Sequence, residues 1–132
     1  DMPPGTGDTQ LTFAQEIKID GAIIVSTPQE IALQDVKRGI RMFDKLKINI
    51  LGLVDNMSYF VGDDKKKYAI FGEGGVKKTA KDFEKEFLAE IPIDPKVGKQ
   101  GDLGKPIVES NPENKISQIY INFAKRIKSN YF

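Results

Sequence analysis

The chain has 132 residues, with 20 Lys and Arg against 19 Asp and Glu for a net charge of +1, and 39% of its residues are hydrophobic. This balance suits one soluble domain with a moderate core, and it gives no overall attraction to nucleic acid. Cysteine and histidine are both absent, which excludes disulfides, thiolate catalysis and metal sites built on sulfur or imidazole within this chain.

The first stretch, Asp1-Met2-Pro3-Pro4-Gly5-Thr6-Gly7-Asp8, reads as a chain leaving a buried strand through a sharp turn. Its prolines fix φ and remove N–H donors, whereas Gly5 and Gly7 tolerate positive φ and the close approach of a bulky ligand. An acidic residue at a strand's C-terminal edge, here Asp1, can face Mg²⁺ beside a phosphate. A Pro/Gly-rich terminal segment without any role has the same composition. Asp8 is placed to cap a helix over residues 9–19, with Leu11, Ala14 and Ile17 along one side.

The apolar run at 21–26 predicts a parallel strand, centred on 22–25 and buried on both faces. Thr27-Pro28-Gln29-Glu30 predicts a helix start with Thr27 as cap, Pro28 at the first position and Glu30 completing a capping box. The stripe Leu33, Val36, Ile40 and Phe43 carries that helix to about Lys45. Residues 48–54 form the next strand, so strand, helix and strand make a right-handed βαβ unit. Beyond Tyr59 the periodicity dissolves into an exposed, solvated loop over 61–67. A helix is expected over 76–87 and a strand over 88–93 that Pro92 and Pro95 bring to an end. A long connection then crosses 96–109. Asn111 and Pro112 are expected to open the last helix, whose stripe is Ile116, Ile119, Phe123 and Ile127.

A nucleotide-binding loop of the G-x-x-x-x-G-K-[ST] type is absent. Gly72-Glu73-Gly74-Gly75-Val76-Lys77-Lys78-Thr79 imitates one, but Lys77 stands where a second glycine would have to let backbone approach phosphate. The last helix carries Lys115, Lys125, Arg126 and Lys128 beside its apolar stripe. A basic amphipathic helix can lie on a membrane, but the basic residues are spread and the stripe has the width of a core-facing side. With no apolar run of membrane-span length and no signal-peptide pattern, a cytoplasmic location is the expectation.

The opening Asp1–Asp8 resembles the D-x-P-P-G-T-G-D element of the Mrp family, the MinD/ParA-related P-loop ATPases linked to iron–sulfur cluster assembly. The likeness continues in the family's order through Ser26-Thr27-Pro28-Gln29, Asp55-Asn56-Met57-Ser58, Ile70-Phe71-Gly72-Glu73-Gly74-Gly75, Ile91-Pro92-Ile93-Asp94-Pro95 and Gly104-Lys105-Pro106-Ile107. It implies a doubly wound parallel α/β sheet of the P-loop NTPase type, with four helices, forming the C-terminal half of a domain whose phosphate-binding loop lies upstream. It further implies ATP and Mg²⁺ as cofactors, with Asp1 as the catalytic residue holding Mg²⁺ through water, and Pro4 and Gly5 on the phosphate side. Asn56, Pro92 and Asp94 would surround the base. A homodimer, iron–sulfur assembly or client proteins as partners, and ATPase activity would belong to the longer protein, with no turnover by this chain alone. One departure stands out: the family's C-x-x-C cluster ligands have no counterpart in Val61-Gly62-Asp63-Asp64-Lys65-Lys66-Lys67-Tyr68, so a two-cysteine bridge cannot form on these residues. Other roles compatible with the sequence are a MinD/ParA-like positioning ATPase and a scaffold without catalysis.

Overall fold

The computed structural model describes Met2, Gly5 and residues 7–132, so the expectations placed on Asp1 and Pro4 lie outside the described residues. The elements are α1 (Asp8–Glu16), β1 (Ala22–Ser26), α2 (Glu30–Lys45), β2 (Ile50–Val61), β3 (Lys67–Tyr68), α3 (Gly75–Asp82), β4 (Phe87–Ile93), α4 (Pro95–Asp102), α5 (Ile107–Ser110) and α6 (Lys115–Tyr131). β2 is central, with β1 parallel on one side and β4 parallel on the other. Its far end turns back on itself to pair antiparallel with β3.

Two apolar layers sandwich the sheet. On one face, Leu33, Val36, Ile40 and Phe43 of α2 pack with Ala22, Leu53, Val76 and Ala80. On the other, Ile116 of α6 and Ile107 of α5 pack with Val54, Leu88 and Ile91, and Ile119, Phe123 and Ile127 extend that layer. The predicted stripes of α2 and α6 are therefore the ones that dock, and α6 spends its apolar side on the sheet. Ser117 fixes the α5–α6 corner, its buried hydroxyl lying 2.9 Å from the Ile107 carbonyl and 2.6 Å from that of Asn111. No helix among the described residues is long and apolar enough to cross a membrane.

Several local expectations change. The helix α1 starts at Asp8 itself, and the capping position falls to Gly7 without a side-chain bond. Thr27 donates to the Gln29 side chain at 2.8 Å, so Gln29 occupies the cap of α2 and no capping box forms. The last helix is capped three residues later than expected, by Asn114, whose side chain accepts from the Ile116 N–H at 2.8 Å. The helix expected over 76–87 stops at Asp82, because Phe87 is drawn into β4. Where a long connection was expected, Asp94 caps a helix opened by Pro95, and α5 follows, giving six helices among the described residues instead of four. Residues 61–67 form a hairpin turn with Gly62 and Lys66 bonded at 3.0 Å, and Asp64 accepts from the Tyr68 hydroxyl. Finally, β1 is buried on one face only: Ile23 is 41% and Val25 59% exposed. Their face of the strand is covered by no apolar cluster among the described residues, and no described strand pairs with the outer edge of β1.

Close approach of β2 to β4 depends on Gly52. It holds a φ of 154°, and a Cβ there would meet Leu88 Cγ at 2.5 Å and the Glu86 carbonyl at 2.8 Å. The backbone oxygen cannot swing aside, and it already accepts from the Leu53 N–H at 2.8 Å. Gly52→Ala is therefore expected to cost about 2–4 kcal/mol of stability through overpacking and backbone strain. Urea denaturation checks this, and an unchanged midpoint would contradict it.

Candidate nucleotide site at the strand ends

The C-terminal end of β1 lies beside Asp55 of β2 and the C-terminal half of β4, while β2 itself continues to Val61. Ser26 pairs with Asp55, Asp55 with Glu90, and Asn56 with Ile91. In an open parallel sheet this is the edge where ligands bind. Asn56 lies within β2 and not beyond it, since the strand runs on to Val61. It is half-buried, and its amide makes no hydrogen bond to another described residue, so donor and acceptor are both uncommitted. The ladder places Ile91, and hence the following Pro92, beside it.

Asp94 is already engaged. Its Oδ1 accepts from the Lys96 N–H at 2.8 Å as the cap of α4, which leaves its second oxygen for any ligand. Gly7 does not take a positive φ, lying at −82°, whereas Gly5 adopts a φ of 97°, in the positive range that glycine tolerates. Next to it, the side chain of Gln10 would lie 3.5 Å from a Cβ at that position. The imitation loop at 72–79 plays a packing role: a Cβ on Gly75 would stand 2.6 Å from Leu33 Cδ1 and 3.0 Å from the Pro28 carbonyl. The loop is thus pressed onto the start of α2.

Sequence reasoning passed over Asp55. It is 1% exposed, in phase with the core residue Leu53. Ser58 donates to its Oδ2 at 3.2 Å, while Oδ1 is buried without a partner among the described residues. Burial pushes its pKa up to about 6, against the lowering effect of the Ser58 bond and with a smaller upward push from Glu90. A carboxylate closing an otherwise apolar strand run was the signal available in the sequence.

Over residues 1–128 the chain matches the family described as ParA, NUBPL iron-transfer P-loop NTPase. The chain belongs to that family. It is 45% identical over 126 residues to an iron–sulfur cluster carrier protein of Aquifex aeolicus, covering 95% of this chain and 35% of that protein. A nucleotide-binding protein from Archaeoglobus fulgidus, solved in complex with ADP, superposes with a TM-score of 0.70 at 44% identity, covering 79% of this chain and 43% of that one. The cell division ATPase MinD of Pyrococcus furiosus has a TM-score of 0.71 at 23% identity over 98% of this chain and 50% of its own, a likeness of fold. The parallel α/β sheet is thus of the P-loop NTPase type. The chain spans little more than a third of the length of the curated relatives it matches.

In this member of the family the buried acid makes a pH signature. A carboxyl held at about 6 in the folded chain, against 3.8 as its ordinary value, binds its proton more tightly when folded. Its contribution favours the native state below about pH 4 and is lost as pH rises through 6, by on the order of 2–3 kcal/mol. Asp55→Asn removes this dependence. Relative to the parent, the variant is expected to gain stability by that amount between pH 4 and pH 7.5 in chemical denaturation. A constant difference across the range would contradict a buried, titrating Asp55.

Proposed function

We propose that this chain is the C-terminal part of a single P-loop ATPase domain that binds ATP and Mg²⁺ and serves iron–sulfur cluster carriage or transfer. The observation that carries the reading is the amide of Asn56, which makes no hydrogen bond to another described residue, at this edge of the sheet beside β4 where Pro92 follows Ile91. An amide offers a donor and an acceptor to a purine edge, and the free oxygen of Asp94 adds an acceptor for an exocyclic amine. In this reading Asp1 would hold Mg²⁺ through water, and Pro4 and Gly5 would serve the phosphates, with the positive φ of Gly5 opening its backbone to them. When bound, the metal neutralises phosphate charge, while the residues of this chain orient the nucleotide.

The exposed Ile23 and Val25 and the outer edge of β1, unpaired among the described residues, support a continuation of the sheet on that side, where the phosphate-binding loop would belong. Hydrolysis then needs that loop, and a homodimer acting on client proteins is the assembly we infer. The cluster is cargo, and it has no thiolate here to hold it. It would rest on residues outside this chain or on a partner's thiols. A membrane-positioning role has no support from α6, whose apolar stripe is packed on the sheet. A cytoplasmic setting accords with this reading.

In the protein as expressed from its gene, Asn56→Ala is expected to weaken ADP–Mg²⁺ binding about three- to tenfold, the loss of one or two hydrogen bonds to the base. Calorimetry checks this, and an unchanged affinity would sink the assignment. The 132-residue chain itself, reconstituted anaerobically with iron and sulfide, is expected to retain no stoichiometric cluster after desalting. Cluster absorbance that persists would overturn this.

A further inference from the structure

The ladder between β2 and β4 breaks at one place. Asn56 pairs with Ile91 and Phe60 with Ile93, so three residues of β2 (Met57, Ser58, Tyr59) stand opposite the single Pro92. Proline has no N–H to give the ladder, which makes this the position where pairing can lapse. The two surplus residues of β2 are accommodated by a bulge within the strand, a local turn of its backbone at which Met57 takes a φ of 55°, unusual for a residue with a long side chain. One side-chain bond spans that turn. The Ser58 hydroxyl donates to Asp55 Oδ2 at 3.2 Å, three residues back, with both groups buried. Asn56 sits inside the span, and the β2–β3 hairpin begins just beyond it.

We infer that Asp55 is a positioning residue: through Ser58 it clasps the Met57 turn and so holds Asn56 in the orientation that meets an adenine nucleotide. The inference rests on the nucleotide reading above for the ligand and on the ladder geometry for the clasp. A carboxylate suits the task, because it accepts from the hydroxyl whichever way the turn relaxes, and burial screens the bond from competing water. Raising of the Asp55 pKa by burial agrees with a carboxyl kept in place despite the cost of its setting. The side chain touches no ligand in this account; it acts through the backbone at Asn56.

The test compares Ser58→Ala, Ser58→Thr and Asn56→Ala in the protein as expressed, with ADP–Mg²⁺ affinity and amide hydrogen exchange as readouts. The Gly62 N–H, bonded to the Lys66 carbonyl, reports the hairpin beyond the turn, and the Leu53 N–H, bonded to the Glu86 carbonyl, reports the sheet as a whole. Ser58→Ala is expected to raise Kd about three- to tenfold and to speed Gly62 exchange about tenfold, with Leu53 unchanged. Ser58→Thr, which keeps the hydroxyl, is expected to restore both. Wild-type affinity and exchange in Ser58→Ala, a Ser58→Thr variant as impaired as Ser58→Ala, or equal acceleration at Gly62 and Leu53 would each overturn the inference. If Asn56→Ala binds as the parent does, the nucleotide reading has failed, and the Gly62 exchange alone decides whether the clasp holds the turn.

Discussion

Pairing of β2 on both of its edges is the constraint on which the other features depend. A strand held by β1 on one side and β4 on the other has no freedom to slip, since a shift of one residue would turn Leu53 and Val54 to the wrong layers. Gly52 lets β4 come close enough to lock that register. The fixed register in turn brings Ser26, Asp55 and Glu90 into one row, with Asn56 and Ile91 in the next. The candidate site is therefore a product of strand pairing more than of any loop.

The two halves of the sandwich are not finished to the same degree. The layer under α2 and α3 is closed around Ile40 and Val76, both fully buried. The opposite layer is closed over β2 and β4 by α6, while β1 shows Ile23 and Val25 to solvent. An exposed apolar pair on an edge strand invites pairing. At the other edge, Arg126 donates to the Phe87 carbonyl at 2.6 Å and pairs with Glu86 at 2.8 Å, which occupies part of the β4 edge with charge. The contrast between a guarded edge at β4 and one at β1 that no described strand pairs is what directs the proposed continuation of the sheet to the β1 side.

The long periodic elements were legible in the sequence because their signal is spread over many residues. The α2 and α6 stripes and the parallel strands follow from apolar spacing alone. Caps and joints were less legible, since each turns on a single side chain with several possible partners. Thr27 found Gln29 in place of a helix N–H, and Asn114 took the capping role expected of Asn111. The hairpin at 61–67 hid behind a charged run, because its two-residue partner strand is too short to carry a period. In the site, Asn56, Pro92 and Asp94 were named through family resemblance. Asp55 was not, since its neighbours in the sheet, Ser26 and Glu90, are distant in sequence and only pairing reveals its burial.

The central claim is that the strand-end edge around Asn56, and not the glycine-rich imitation loop before α3, receives the nucleotide. Nuclear magnetic resonance of the isotope-labelled protein, titrated with ADP and Mg²⁺, tests it most directly. The account predicts that the Asn56 side-chain amide and the backbone amides of Ile93 and Asp94 shift, while those of Lys77, Lys78 and Thr79 stay in place. Shifts gathered at Gly74–Thr79 with Asn56 unmoved would contradict it.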